Sequence, residues 1–149
     1  MQLLVDEVDR RDPLETGGVL LGYWGKETDE PGVTAVIGPG SGAVHSQFYF
    51  KPDHEYQTGE ISRRYFESDR RLQYLGDWHS HPGGGDSLSA LDRRCLKMIS
   101  KCPEARVDEP IMMILSGIPK RKLSAWHFRR TGGLFRRRIL FPLEIFDFD

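Results

Sequence analysis

The sequence predicts an α/β chain with a mixed, mostly antiparallel sheet flanked by helices. Three observations carry this. Several short runs are apolar enough to be buried strands, among them Val19-Leu20-Leu21-Gly22-Tyr23-Trp24 and residues 110–115. Three segments, at about residues 2–11, 53–71 and 89–100, space their apolar residues as helices do. Residues 123–130 alternate around Trp126 and Phe128, which suits a strand that pairs with 110–115.

Taken in order, Leu3, Leu4 and Val8 mark the first helix, which Asp12-Pro13 ends. Glu15-Thr16-Gly17-Gly18 then leads into the strand at 19–24. A turn rich in Gly, Glu and Pro at 25–32 precedes a strand at 33–37. Gly38-Pro39-Gly40-Ser41-Gly42 forms a loop, and His45 to Phe50 alternates as a third strand. Pro52-Asp53 opens a helix to about Arg71 with a stripe of Tyr56, Ile61, Tyr65 and Leu72, weakened by Gly59. Leu75 to Ser80 is a short strand whose alternation turns His79 and His81 the same way. After a Gly83-Gly84-Gly85 loop, a helix buries Leu88, Leu91, Cys95, Met98 and Cys102 until Pro103 stops it. Residues 134–141 form the last strand before an acidic tail. With no internal repeat and no linker, residues 1–149 read as a single domain.

Composition narrows the function. The chain has 149 residues, 38% hydrophobic and 11% aromatic, enough for a packed core without cross-links. Its net charge of −1 gives no overall pull toward nucleic acid or membrane. The paired basic residues, such as Arg63-Arg64 and Arg136-Arg137-Arg138, are scattered and matched by acids, so they read as solvated surface. Cys95 and Cys102 lie two helical turns apart, outside any CxxC pair, and are expected as small buried apolar residues. Asp6-Glu7 interrupts the opening apolar residues, so no signal peptide is expected, and no run reaches the length of a membrane span. The expected compartment is the cytoplasm.

The most specific feature is His79-Ser80-His81-Pro82 followed by Ser89 and Asp92. Two histidines on one face of a strand end can point at one ion, and Asp92, in the first turn of the next helix, can supply a third ligand across the glycine loop. Two histidines and a carboxylate suit a catalytic zinc with one position left for water, which such an ion activates near neutral pH. Taken alone, Ser89-Ala90-Leu91-Asp92 reads as a helix start, with Ser89 as N-cap and Asp92 completing a variant capping box. The two roles are compatible, since a capped helix end holds its side chains in place. The HExxH pattern of helical metalloproteases and the PCxxC of zinc deaminases are both absent from the sequence.

His79-Ser80-His81-Pro82, six residues, Ser89, two residues and Asp92 resemble the JAMM motif of the MPN/JAB metalloprotease family. Glu15, within Glu15-Thr16-Gly17-Gly18-Val19-Leu20-Leu21-Gly22, is similar to the family's upstream glutamate. The resemblance runs from Glu15 to the strand around Trp126 and implies the cytidine-deaminase-like JAB/MPN fold. It implies one catalytic Zn2+ held by His79, His81 and Asp92. Glu15 would take a proton from water and pass it to the leaving amine, and Ser89 would donate to the oxyanion. Taken alone, Glu15 reads as a surface carboxylate after a helix. Two features depart from the family pattern: the chain begins almost at its first helix, and the segment Lys101 to Glu109 is short. The brevity favours the compact bacterial JAB proteins over the linkage-specific deubiquitinases.

The resemblance implies cleavage after the C-terminal glycine of ubiquitin or a ubiquitin-like protein, as deconjugation or processing. Gly38-Pro39-Gly40, Phe48-Tyr49-Phe50-Lys51-Pro52-Asp53 and Trp78 are similar to bacterial JAB proteins encoded beside activating-like and conjugating-like enzymes, some in antiviral operons of the CBASS type. The implied partners are a ubiquitin-like protein or its conjugate and those enzymes, with no nucleic acid and no membrane. Two readings compete with it: a sulfur-carrier or cysteine-adduct peptidase with the same site, and a non-enzymatic MPN scaffold. Scaffolds typically lose the ligands that this chain keeps. An extended glycine-ended tail would lie beside the 53–71 helix and the Gly83–Leu88 loop.

Overall fold

The structure is a computed structural model that describes residues 2–117, 120–132 and 137–146. Helix α1 (Gln2–Arg11) is followed by β1 (Gly17–Trp24), β2 (Pro31–Ile37), β3 (Val44–His45), β4 (Phe50–Lys51), α2 (His54–Glu67) and β5 (Gln73–His81). Then come α3 (Ala90–Ile99), a 3-10 turn (Pro103–Ala105), β6 (Ile111–Ser116), β7 (Lys122–Arg130) and β8 (Arg138–Leu143). Six strands form one sheet in the order β2-β1-β5-β6-β7-β8. Only β5 and β6 run parallel, and their crossover carries α3; the other pairs are antiparallel.

The sheet is covered on both faces, which is why β1 and β6 read as near-continuous apolar runs. Leu4 and Val8 of α1 pack with Leu20, Leu75, Trp78, Ile111 and Leu115 on one face. On the other, Leu96 of α3 packs with Leu88, Met112 and Ile114, and Ile61 of α2 lies against Val19, Leu21 and Ile37. Alternate residues of β6 thus serve opposite layers, as the two-residue period of a strand requires.

Several expectations are corrected. The strand expected over residues 45–50 is a small hairpin of β3 and β4 outside the main sheet. Ser46 turns the chain back: its N–H and Oγ both donate to the Tyr49 carbonyl, at 2.8 and 3.0 Å. Leu3 of α1 is exposed, as is Tyr56 of α2, whose buried residue is the polar Gln57 donating to the Gly38 carbonyl at 3.0 Å. In α3, Leu91 and Met98 are exposed while Asp92 and Leu96 are buried. The cysteines are not core residues either, Cys95 being half-buried and Cys102 exposed. The last strand is observed over Arg138–Leu143, and residues 134–136 of the expected strand lie outside the described residues.

The arginine pairs behave as solvated surface. Arg63 bridges Glu60 and Glu67, Arg129 pairs with Asp29, and Arg130 pairs with Asp108. Such exposed pairs contribute little to stability.

Candidate metal centre

The site lies where β1 begins and β5 ends. Antiparallel pairing sets Gly17 against His79, so the residues just before β1 lie beside the end of β5. That register brings Glu15 to the histidines across a long stretch of sequence. It is locked locally: the Ser80 N–H donates to the Thr16 carbonyl at 2.8 Å, and the Thr16 N–H donates to Ser80 Oγ at 2.9 Å. Both residues are fully buried. Gly17 is needed here, because a Cβ would meet the Trp78 carbonyl at 2.6 Å and the Phe50 ring at 2.9 Å.

His79 and His81 project from the same face of β5, with ring centroids 5.1 Å apart. Asp92 reaches them from α3, 3.2 Å from His79 Nδ1 and 3.4 Å from His81 Nε2. Its position follows from the capping box: Ser89 N–H donates to Asp92 Oδ2 at 2.7 Å, and Asp92 N–H donates to Ser89 Oγ at 3.1 Å. From the other side, Glu15 Oε2 lies 3.3 Å from His79 Nε2. The Gly83–Gly85 loop contributes its backbone, with the Gly85 carbonyl 3.2 Å from His81 Nδ1. All five residues singled out in the sequence therefore meet at one place.

His79, His81 and Asp92 are shifted electrostatically by their neighbours. Burial disfavours a charged His79, but the Asp92 and Glu15 carboxylates outweigh it and push the imidazole up to about 9. Hydrogen bonding to Asp92 also raises His81. Burial would raise Asp92, yet the two histidines and Ser89 overcome it and hold the carboxyl well below the usual range. The arrangement thus favours positive charge between carboxylates, as a cation-binding site does.

The donor set fits a divalent metal. Ligand atoms of Glu15, His79 and His81 all lie within 4.8 Å of one another. Asp92 lies against both histidines. His79 Nε2 is buried without a hydrogen-bond partner among the described residues, despite its closeness to Glu15. A buried imidazole nitrogen without a partner costs stability unless something binds it. Nitrogen and carboxylate donors in this number suit a four-coordinate ion with an open position.

Two polar contributors, His45 and Asp77, carry no signal in the sequence. His45, at the base of the β3–β4 hairpin, sets its Nδ1 2.9 Å from the Glu15 carbonyl, while the Glu15 N–H donates to the Ser46 carbonyl at 2.7 Å. Phe50 lies between His45 and His79, with centroids 5.4 and 6.0 Å away. Asp77, two residues before His79, points to the same side of β5 and accepts from the Tyr74 hydroxyl at 2.8 Å. A histidine near a loop and an acid in a strand carry no motif, so only the pairing of distant segments reveals them.

A covered sheet gathers two histidines and two carboxylates at a strand end, a donor set that suits a metal-site hydrolase. The chain belongs to the family described as prokaryotic homologs of the JAB domain, whose model matches residues 1–129. It is 39% identical over 143 residues to a probable metalloprotease, y4qB, of Sinorhizobium fredii (strain NBRC 101917 / NGR234), covering 95% of this chain and 84% of that protein. It is 25% identical over 119 residues to a CD-NTase/cGAS isopeptidase of Enterobacter hormaechei subsp. hoffmannii (strain UCI 50), covering 80% of this chain and 64% of that one. The fold is shared with the solution structure of protein DSY2949 from Desulfitobacterium hafniense, at a TM-score of 0.68 and 20% identity, over 98% of this chain and 86% of that chain. Among the described residues, no helix is long and apolar enough to cross a membrane.

Proposed function

We propose that this protein is a zinc-dependent isopeptidase that cleaves after the C-terminal glycine of a ubiquitin-like protein. The observation that carries the reading is the convergence of Glu15, His79, His81 and Asp92 at the end of β5. His79, His81 and Asp92 would hold the ion, leaving Glu15 free beside it. A zinc there supplies Lewis acidity and lowers the pKa of water. Glu15, on its short tether before β1, takes the proton of the attacking water and returns it to the leaving amine. Ser89 Oγ accepts from the Asp92 N–H, which leaves its own O–H to donate to the developing oxyanion. His45 and the Ser46 carbonyl hold the backbone on which Glu15 is mounted.

The isopeptidase among the relatives supports this substrate class. The biological partners in this reading are a ubiquitin-like protein or its conjugate, handled with activating-like and conjugating-like enzymes in an antiviral conjugation operon. The test joins metal analysis to cleavage of ubiquitin-like fusions and of a sulfur-carrier cysteine adduct. Wild type should hold one zinc per chain and cleave the fusions. Glu15→Gln should keep the zinc and lose about 10²–10⁴-fold in rate, the usual size of a general-base contribution. Asp92→Asn should lose the zinc itself. Undiminished cleavage by Glu15→Gln would sink the assignment of the base, and preference for the cysteine adduct would redirect the substrate class.

A further inference from the structure

On the α2–α3 side of the sheet a groove of about 940 Å³ runs up to the strand that carries the histidines. Ile61 and Tyr65 of α2 form one wall, and Met98 and Ile99 of α3 form the other. Val19 and Asp77 belong to the sheet between them. The wall opposite α2 is therefore the C-terminal end of α3 and the 3-10 turn; the Gly83–Leu88 loop does not line it. Met98 and Cys102, expected in the core, face this groove instead.

Asp77 is aimed into the groove by a feature of the backbone. Leu20 pairs with Gly76 and Leu21 with Tyr74, so Leu75 is an extra residue and β5 bulges. Gly76 takes φ +150°, and a Cβ on it would lie 1.9 Å from the Ile111 carbonyl. The bulge changes the alternation of the strand, as such insertions do near active sites. Tyr74 and Asp77, three residues apart, consequently share the face that continues through His79 and His81.

The carboxylate is incompletely satisfied. Tyr74 donates to Oδ1 only, and among the described residues no hydrogen bond reaches Oδ2. Asp77 makes no ion pair among them, although His54 and Arg106 also reach the groove. Asp92, which reaches the same side of the sheet from α3, is by contrast paired with two histidines. The imidazoles of His79 and His54 act on this carboxylate without forming an ion pair with it, burial still disfavours its charge, and a cation brought by a ligand against it relieves that cost.

We propose that Asp77 is a specificity-determining residue that pairs with a lysine or arginine side chain in the extended C-terminal tail of the substrate. The inference rests on the isopeptidase reading of the metal centre. Asp77 precedes His79 by one strand repeat, about 6.6 Å. The cation therefore belongs about two to four residues before the scissile bond, and the apolar walls take its uncharged neighbours. A neutral hydrogen-bond donor would leave the charge of Asp77 uncompensated, which is why the site selects a cation.

The experiment uses linear fusions of ubiquitin to a fluorescent protein. Each of the five positions before the scissile bond is set in turn to Arg, Gln or Glu, with zinc content measured for every enzyme variant. At one position Arg should exceed Gln in kcat/KM by about tenfold or more, the scale of a charged hydrogen bond. Asp77→Asn should abolish that preference, and Asp77→Arg should reverse it toward Glu. An unchanged ranking in both variants, or an equal loss on every tail, overturns the proposal. If wild type cleaves no fusion, the isopeptidase reading fails. The tail preference is then decided separately by fluorescence anisotropy of labelled tail peptides on zinc-loaded Glu15→Gln protein, where indifference to Arg overturns it.

Discussion

His79 sits between two carboxylates, so its proton is linked to the stability of the metal-free fold. Its imidazole rises from 6.5 to about 9 on folding. Between these values the native state holds a proton that the unfolded chain has released. The stabilisation is complete below about pH 6.5 and is lost as pH rises through about 9. Metal-free protein in chelator should therefore melt at progressively lower temperature from pH 6.5 to 9.5, measured against His79→Asn in the same buffers. A difference between the two that grows with pH would contradict this. Zinc reverses the trend, because a histidine must shed its proton to become a ligand.

At the scale of elements, the start of α3 combines two roles that the sequence left side by side. Ser89 caps the helix and thereby fixes Asp92, and in the proposed mechanism its hydroxyl donates to the oxyanion. Ser89→Ala should lose the cap, at about 1 kcal/mol by denaturant unfolding. Ser89→Asn retains a cap but removes the hydroxyl, so it should fold almost as stably as wild type yet cleave about 10²–10³-fold more slowly. Wild-type cleavage by Ser89→Asn would remove the oxyanion role. The same helix shows why a face is harder to read than an element. Helical spacing marked Leu91 and Met98 as core, but the helix packs through Leu96 and turns Met98 to the groove. Spacing identifies faces; the partner surface decides which of them is buried.

For the whole molecule, the metal centre ties the start of β1, the end of β5 and the start of α3 into one unit. An ion bound only by the native state stabilises it by mass action, about 2.7 kcal/mol at a free concentration one hundred times its Kd. Chelation at pH 8 should lower the melting temperature and readdition of zinc should restore it; identical melting curves would argue against a site formed by the native fold. The sequence by itself determined the α/β class, the three helices, most of the strands and the cluster His79, His81, Ser89 and Asp92. Those features are written in local periodicity and short spacing, which survive without knowledge of neighbours. Glu15 was legible only through its resemblance to a family pattern, since nothing local distinguishes it from a surface acid. Tertiary structure decided the rest. The β1–β5 register carried Glu15 to the histidines, the Ser46 turn made a hairpin of residues 45–50, and the bulge at Leu75 turned Asp77 into the groove. Each depends on hydrogen bonds or packing between segments far apart in the chain, and no local pattern encodes them.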